Sequence, residues 1–454
     1  MIPHGSMRFV PTHAPTQPRL VPFDTARSHA RFGWLIWGVF ALGLCIATVL
    51  KPDAFVLTDG ERFDGRVVGA TERALVVVRD DQRQRGPQTI DRSAIAQHAP
   101  LGGRSVTPEY RRAAELWWQS KPMYTQGVHG FLYLPQGAIL YSPFTLLPPA
   151  LEETLWRIVG LALLALGLRR VCEPLFAERW PTAFLWSSAL AIPPALGSAA
   201  NGQTNIHIAG LFALACADVI GRRWWRVAMW LSLALACKPT AIVMVLLVGA
   251  IYPRPMGWRL TLALLVLAAA PFLHLHPEYV VEQYRAFLGK VAAASAPPDL
   301  FPDIRGLLVS FGVVLSEDVL RIVRAAAALG TLGLCWLASR RFGGVGCAMA
   351  LWTLGGVYLT LFNPRTEGLT YVLLGVPGAL WATREVLARR WAPAAFLIFF
   401  CLATQFSTQI ALNHKNYWVR PLGAAIFAAM VAIEIARGRS RWPADCQPDT
   451  TPSR

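Results

Sequence analysis

Apolar runs about as long as a bilayer core is thick recur along the chain, and they constrain its fold more than any other feature. Residues 33–50 and 392–411 are two of them. A helix needs roughly 20 apolar residues to cross a hydrocarbon layer about 30 Å thick. Further candidate runs occupy 151–168, 182–197, 203–220, 226–237, 240–253, 260–275, 319–338, 345–362, 369–386 and 421–436. The expectation is an all-α polytopic membrane protein with about twelve transmembrane helices. Only 15% of residues are charged, against about 25% in a soluble domain. A soluble enzyme, a disordered tail protein and a disulfide scaffold are excluded.

The formal net charge is nonetheless +16, from 43 Lys plus Arg against 27 Asp plus Glu. Such a surplus first suggests a nucleic-acid face. Here the basic residues fall between the apolar runs, as they do in the cytoplasmic loops of membrane proteins, so no nucleic-acid partner is expected. Arg8, Arg19, Arg27 and Arg31 precede the first run and put the N-terminus in the cytoplasm, with 33–50 read as a retained span. Arg169/Arg170, Arg222/Arg223, Arg340/Arg341 and Arg389/Arg390 then fall on the cytoplasmic side. Segment 131–148 is apolar but holds Pro135, Pro143 and Pro148. As a full crossing it would invert every later loop, so a half-inserted, re-entrant segment is expected. No cysteine lies in an outer loop, so no structural disulfide is expected.

The expected organisation is a cytoplasmic tail (1–32), a first helix (33–50), a small outer β module (51–105), an outer amphipathic helix with the re-entrant segment (106–150), a membrane domain (151–437) and a cytoplasmic tail (438–454). Within 55–98, short β-rich runs alternate with turn signals such as Asp59-Gly60, which suggests a small SH3-like or Sm-like barrel. Residues 107–124 carry apolar and aromatic side chains at 110, 113, 114, 117 and 118, a helical period. A helix so rich in Trp beside a membrane belongs in the interface.

Three interruptions carry polar groups, and by parity all three face outward. Lys238 stands in Leu-Ala-Cys-Lys-Pro-Thr between two short apolar runs. An ionised Lys at membrane depth costs at least about 2.5–3.5 kcal/mol. It either snorkels to the interface or waits for an anion. Asn201-Gly202-Gln203-Thr204-Asn205 opens a helix, as a bare turn or as a receptor for phosphate and sugar hydroxyls. Asn363-Pro364-Arg365-Thr366-Glu367-Gly368 holds an arginine and a carboxylate together, as a surface ion pair or as part of a site.

In chain order, Tyr110-x-x-Ala113-Ala114, Lys121-Pro122-x-Tyr124, Phe131-Leu132-Tyr133-x-Pro135, Trp156, Asn201-Gly202-Gln203-x-Asn205, Ala236-x-Lys238-Pro239-Thr240 and Asn363-Pro364 form an ordered set. It resembles glycosyltransferase family 87, whose members are polyprenyl-phosphate-mannose-dependent and have the GT-C fold. The resemblance implies an enzyme that draws a hexosyl group, mannosyl by family default, from a polyprenyl-phosphate sugar. It implies a lipid or glycan acceptor and a site on the extracytoplasmic side of a bacterial inner membrane. It also implies a carboxylate base in the first outer loop. The family's Asp before the tyrosine matched by Tyr110 is replaced here by Val106-Thr107-Pro108-Glu109, and the family's His pair after the Asn-Pro motif is absent.

The expected catalytic carboxylates are Glu109 first, Asp53 second, and Glu367 as an orienting group. Donor phosphate and sugar contacts fall to Lys238, Arg365, Asn201, Gln203, Asn205, Tyr110, Tyr133 and His129. No cofactor and no metal are expected; membrane lipids are the remaining partners. A lipid-sugar flippase and a non-catalytic subunit of an envelope polysaccharide assembly are the competing classes. The first would place its broken helices in repeated halves near the midplane, and the second would depend on the β module.

Overall fold

The computed structural model describes residues 23–81, 86–99, 105–125, 130–294, 299–411 and 416–442. After α1 (Phe23–Leu50) come five strands, β1 (Asp53–Leu57), β2 (Arg62–Ala70), β3 (Ala74–Arg79), β4 (Gln88–Asp91) and β5 (Ile95–Ala99). Two short helices follow, α2 (Thr107–Trp118) and α3 (Pro135–Tyr141). Then come α4 (Pro149–Phe176), α5 (Trp180–Asn201), α6 (Asn205–Ile220), α7 (Trp224–Cys237), α8 (Ile242–Ile251) and α9 (Pro253–Ala269). The chain continues through α10 (Pro277–Ala294), α11 (Ile304–Ser310), α12 (Glu317–Arg341), α13 (Gly344–Leu361), α14 (Val372–Leu387), α15 (Trp391–Ile410) and α16 (Val419–Ala436).

Every apolar run in the sequence falls on a helix, but the helices are not equivalent. Among the described residues six are long and apolar enough to cross a membrane: α1, α9 with its 3-10 extension to Leu273, α12, α13, α15 and α16. α6, α7 and α8 are apolar but shorter. Length and composition therefore support six of the twelve crossings expected. Breaks such as Lys238-Pro239 cut the runs; α8 has ten residues, about 15 Å of helix. Charge does the same elsewhere, since α4 opens with Glu152, Glu153 and Arg157.

The apolar surface is distributed as a membrane requires. On α12 only 11% of the most apolar window is buried, and on α1 22%, against 89% on α13. Leu35, Val39, Leu42, Leu265, Val266, Ile322 and Leu329 point outward, each at least half exposed. Contiguous apolar surface on this scale marks a lipid-facing or partner-facing wall. The inner helices instead meet through small residues. A Cβ on Gly210 of α6 would lie 2.6 Å from the Leu163–Leu164 backbone of α4, so glycine there lets the two backbones touch. That close packing holds the first half of α6 against the middle of α4.

The extramembrane sheet is antiparallel, with strand order β4-β3-β2-β1-β5. β4 and β5 are its two edges and do not pair, so it is an open sheet and not the barrel expected. The edge strands are four and five residues long. One face is filled by Phe55, Phe63, Leu75 and Val77 with Leu57, Ile90 and Ile95 partly buried against them, a small apolar cluster for a second layer to wrap around. Arg79 continues the inward face of β3; it stacks 4.0 Å over Phe63 and pairs with Glu61 and Asp81.

α2 forms where its period predicts. It buries Tyr110, Ala113, Ala114 and Trp117 and leaves Trp118 60% exposed. Residues 131–148 fold as α3 followed by a 3-10 turn at Ser142–Leu146. The seven residues of α3 rise about 10 Å, which does not cross a bilayer. None of the seven described cysteines forms a disulfide.

Candidate active site

Four breaks in regular structure converge, and each has a local cause. α5 ends at Gly202, which takes φ +72°, the left-handed conformation that glycine adopts without strain. A Cβ there would meet Thr107 at 2.8 Å. The turn is pinned from both sides. Trp156 Nε1 donates to the Gly202 carbonyl at 2.9 Å, and the buried His207 ring stacks 4.1 Å from Trp156.

Behind the turn, Arg157 pairs with Glu153 and donates to Ser105 Oγ (3.1 Å) and to the Ala200 carbonyl (3.0 Å). Ser105 Oγ donates in turn to Glu153 at 2.8 Å. The Val106 amide donates to the Asn201 carbonyl at 3.0 Å. The first turn of α2 is thus fastened to the end of α5. Arg111, one turn further on, is tied to Glu152 of α4 and to the Thr145 carbonyl.

α7 stops at Lys238, which is extended (φ −159°, ψ 131°), and Pro239 starts a new 3-10 turn. Pro239 has no N–H and cannot continue the helix. The loop between α13 and α14 is folded by Thr366, whose buried hydroxyl donates to the Asn363 (3.0 Å) and Leu359 (3.2 Å) carbonyls. These segments surround a cavity of about 340 Å³. Glu109, Tyr110, Tyr133, Gln203, Lys238, Arg365 and Glu367 all line it, with Pro239, Thr240, Asn363 and Pro364 between them.

A continuous hydrogen-bond chain runs along one wall. Lys238 Nζ donates to Asn205 Oδ1 at 2.9 Å, Asn205 Nδ2 to Gln203 Oε1 at 2.7 Å, and Gln203 Nε2 to Glu367 Oε2 at 2.6 Å. Opposite, the Tyr110 and Tyr133 hydroxyls lie 2.9 Å apart with their rings edge to face. Burial, reinforced by Tyr133, pushes the Tyr110 phenol well above its ordinary pKa. It therefore stays protonated and serves as a hydrogen-bonding group. Glu109 accepts no hydrogen bond from any described residue and is exposed at the cavity wall.

Seven of the residues expected from the sequence thus share one chamber, and Asn205 supports two of them from below. Asn201 is placed behind the wall and contributes its carbonyl to α2. Asp53 does not line the chamber. It sits at the start of β1 with its carboxylate 2.8 Å from His98 Nε2. His129 lies outside the described residues.

One cation was not assigned to the site from the sequence. Lys290 of α10 is 4% exposed, and its Nζ donates to the Thr125 carbonyl at 2.7 Å and to Thr125 Oγ1 at 3.2 Å. Burial first, and then Arg365, pull its pKa below the usual lysine value, while Glu109 acts in the opposite sense. All three charges therefore feel one another beside Val291, which lines the cavity. A signal existed: Val280, Gln283, Phe287 and Lys290 recur at helical spacing and are all buried. The buried Glu153–Arg157 pair was equally legible as charge at the head of an apolar helix. No three His, Cys, Asp or Glu side chains converge as a metal-binding group among the described residues.

A wall of helices with exposed apolar faces and a polar chamber lined by two cations and two carboxylates define a membrane protein with one candidate site. The sequence profile of glycosyltransferase family 87 matches residues 131–364, a little over half the chain, from the segment before α3 to Asn363-Pro364. The protein belongs to that family and is a membrane glycosyltransferase. A comparison with curated proteins finds no match.

Proposed function

We propose that the chain is a GT-C-type hexosyltransferase, mannosyl by the family's default, that uses a polyprenyl-phosphate sugar and an extracytoplasmic lipid or glycan acceptor. The observation that carries this reading is the shared chamber, where Glu109 stands with Lys238 and Arg365. A lipid-phosphate donor brings one anion to the lipid–water boundary, and two cations at the end of broken helices match it. Glu109 takes the proton of the acceptor hydroxyl as that oxygen attacks the anomeric carbon. The bond from that carbon to the phosphate oxygen breaks, and its electron pair leaves on the phosphate. Lys238 and Arg365 offset this charge, as fixed donors do in other transfer reactions. Attack opposite the leaving group inverts the anomeric centre.

Between the carboxylates, geometry favours Glu109 as base. Glu367 already accepts a hydrogen bond from Gln203, and Asp53 is engaged with His98 in the β module. The arginine distribution of the loops supports an outward-facing chamber. The test is transfer from a labelled polyprenyl-phosphate sugar by the purified, reconstituted protein. Inverted product from the wild type, with activity lost in Glu109→Gln and in Lys238→Met, is the expected result. Full activity in both variants would overturn the assignment.

A further inference from the structure

The chain Lys238–Asn205–Gln203–Glu367 has only one consistent arrangement of its hydrogens. An ammonium can only donate, and an ionised carboxylate can only accept. Lys238 therefore requires the oxygen of Asn205, which turns the Asn205 amide nitrogen towards Gln203. Glu367 requires the nitrogen of Gln203, which turns the Gln203 oxygen towards Asn205. The two ends impose the same orientation on both amides, and the distances of 2.9, 2.7 and 2.6 Å leave no break. Asn205 is fully buried and Gln203 6% exposed, so water does not substitute for either.

We infer that Gln203 and Asn205 are positioning residues. They form a two-amide relay that locks the Lys238 ammonium in place and ties it to the Glu367 carboxylate. This inference deepens the proposed glycosyl transfer and rests on it for its catalytic consequence. One N–H of Lys238 is spent on Asn205, and the other two remain for the cavity that Lys238 lines. The relay divides the labour between the carboxylates: Glu367 anchors, and Glu109 is left as the proton acceptor.

The relay has a polarity, so it can be reversed, and reversal tests it. Asn205→Asp keeps an acceptor for Lys238 but removes the donor to Gln203. The Gln203 amide must then turn, and its oxygen faces the Glu367 carboxylate, acceptor against acceptor. Adding Glu367→Gln removes that conflict, because the new amide at 367 can donate to Gln203. The doubly substituted relay is complete again and keeps its net charge. Expected transfer is about tenfold or more reduced in Asn205→Asp, reduced but by less than about a hundredfold in Glu367→Gln, and higher in the double variant than in Asn205→Asp alone. Thermal unfolding of the same four proteins in detergent should show the same rescue.

A double variant no better than Asn205→Asp in either measurement would overturn the relay. Loss of more than about a hundredfold in Glu367→Gln alone would overturn the anchoring role and make Glu367 the base. If the wild type transfers no sugar from any polyprenyl phosphate, the donor reading fails. The unfolding cycle still decides the relay, with rescue supporting it and simple additivity refuting it.

Discussion

The two ends of α14 are built from the same residue types and do different things. Just before its start, Arg365 and Glu367 face the chamber with Lys238 and Glu109. Near its other end, Arg384 donates to Glu434 at 2.8 Å from each of two guanidinium nitrogens, and to Glu385 at 2.6 and 2.9 Å. Its guanidinium lies 4.1 Å from the Trp381 ring and 4.9 Å from that of Trp442. All three charged residues are less than a tenth exposed. Four of the five Arg384 guanidinium N–H groups are spent on these two carboxylates within the protein. At the chamber, Glu109 is left without a hydrogen bond, and the cations face an opening of about 340 Å³. A buried ion cluster becomes a site only where its charges face a volume that a substrate can fill.

The comparison can be broken from either end. Glu109→Gln should lower single-turnover transfer by roughly 10²–10⁴, the usual contribution of a general base, with donor binding little changed; a loss confined to binding would refute its role. Arg384→Met should leave transfer per folded molecule intact and destabilise by about 3–5 kcal/mol, because buried Glu434 loses its cation and Glu385 keeps only Arg390. Thermal unfolding in detergent reads that loss. Retained stability with lost transfer would make this cluster catalytic and dissolve the contrast. Lys238→Met should cost about ten- to a hundredfold in transfer, the worth of a charged hydrogen bond to phosphate, with a smaller change in unfolding temperature.

The smallest expected effect concerns Asp303. Its side chain caps α11 through the Gly306 amide at 2.9 Å, and burial, opposed by that hydrogen bond and by Arg324, raises its pKa to about 6. The folded carboxyl then holds a proton up to that pH, while an unfolded one releases it near 3.9. The folded state binds more protons across that window, so stability should fall as pH rises from about 4 to about 6. Asp303→Asn keeps the cap and should flatten that part of the unfolding profile. An unchanged slope would show that Asp303 does not cause it.

The membrane helices were legible because hydrophobic runs and arginine-rich loops reflect constraints that act along the chain. So was α2, whose period and Pro108 mark a helix wherever it ends up. The sheet was legible as strands but not as an open layer, because closure depends on how much apolar volume its inner face collects. Six of the twelve expected crossings fall on helices long and apolar enough to span, because an apolar run states what a helix can touch, not whether it is continuous. Within the site, Lys238, Gln203 and Arg365 stood out as polar groups interrupting apolar sequence. Asp53, chosen for its position after α1, is instead drawn into the sheet by His98. Lys290, read from the sequence as an outer-side lysine, was not assigned to the site because its partner Thr125 lies 165 residues away.

The amino-acid sequence alone determined that the chain lives in a membrane, where its helices lie and which polar breaks need explaining. Hydrophobicity and charge act locally, so composition along the chain reports them. Only folding in three dimensions decided that those breaks meet in one chamber, that Asn205 and Gln203 join Lys238 to Glu367, and that, of the two chamber carboxylates, Glu109 is the one that accepts no hydrogen bond from a described residue. These depend on residues more than a hundred positions apart, and the direction of a hydrogen bond exists only once its partners are in place.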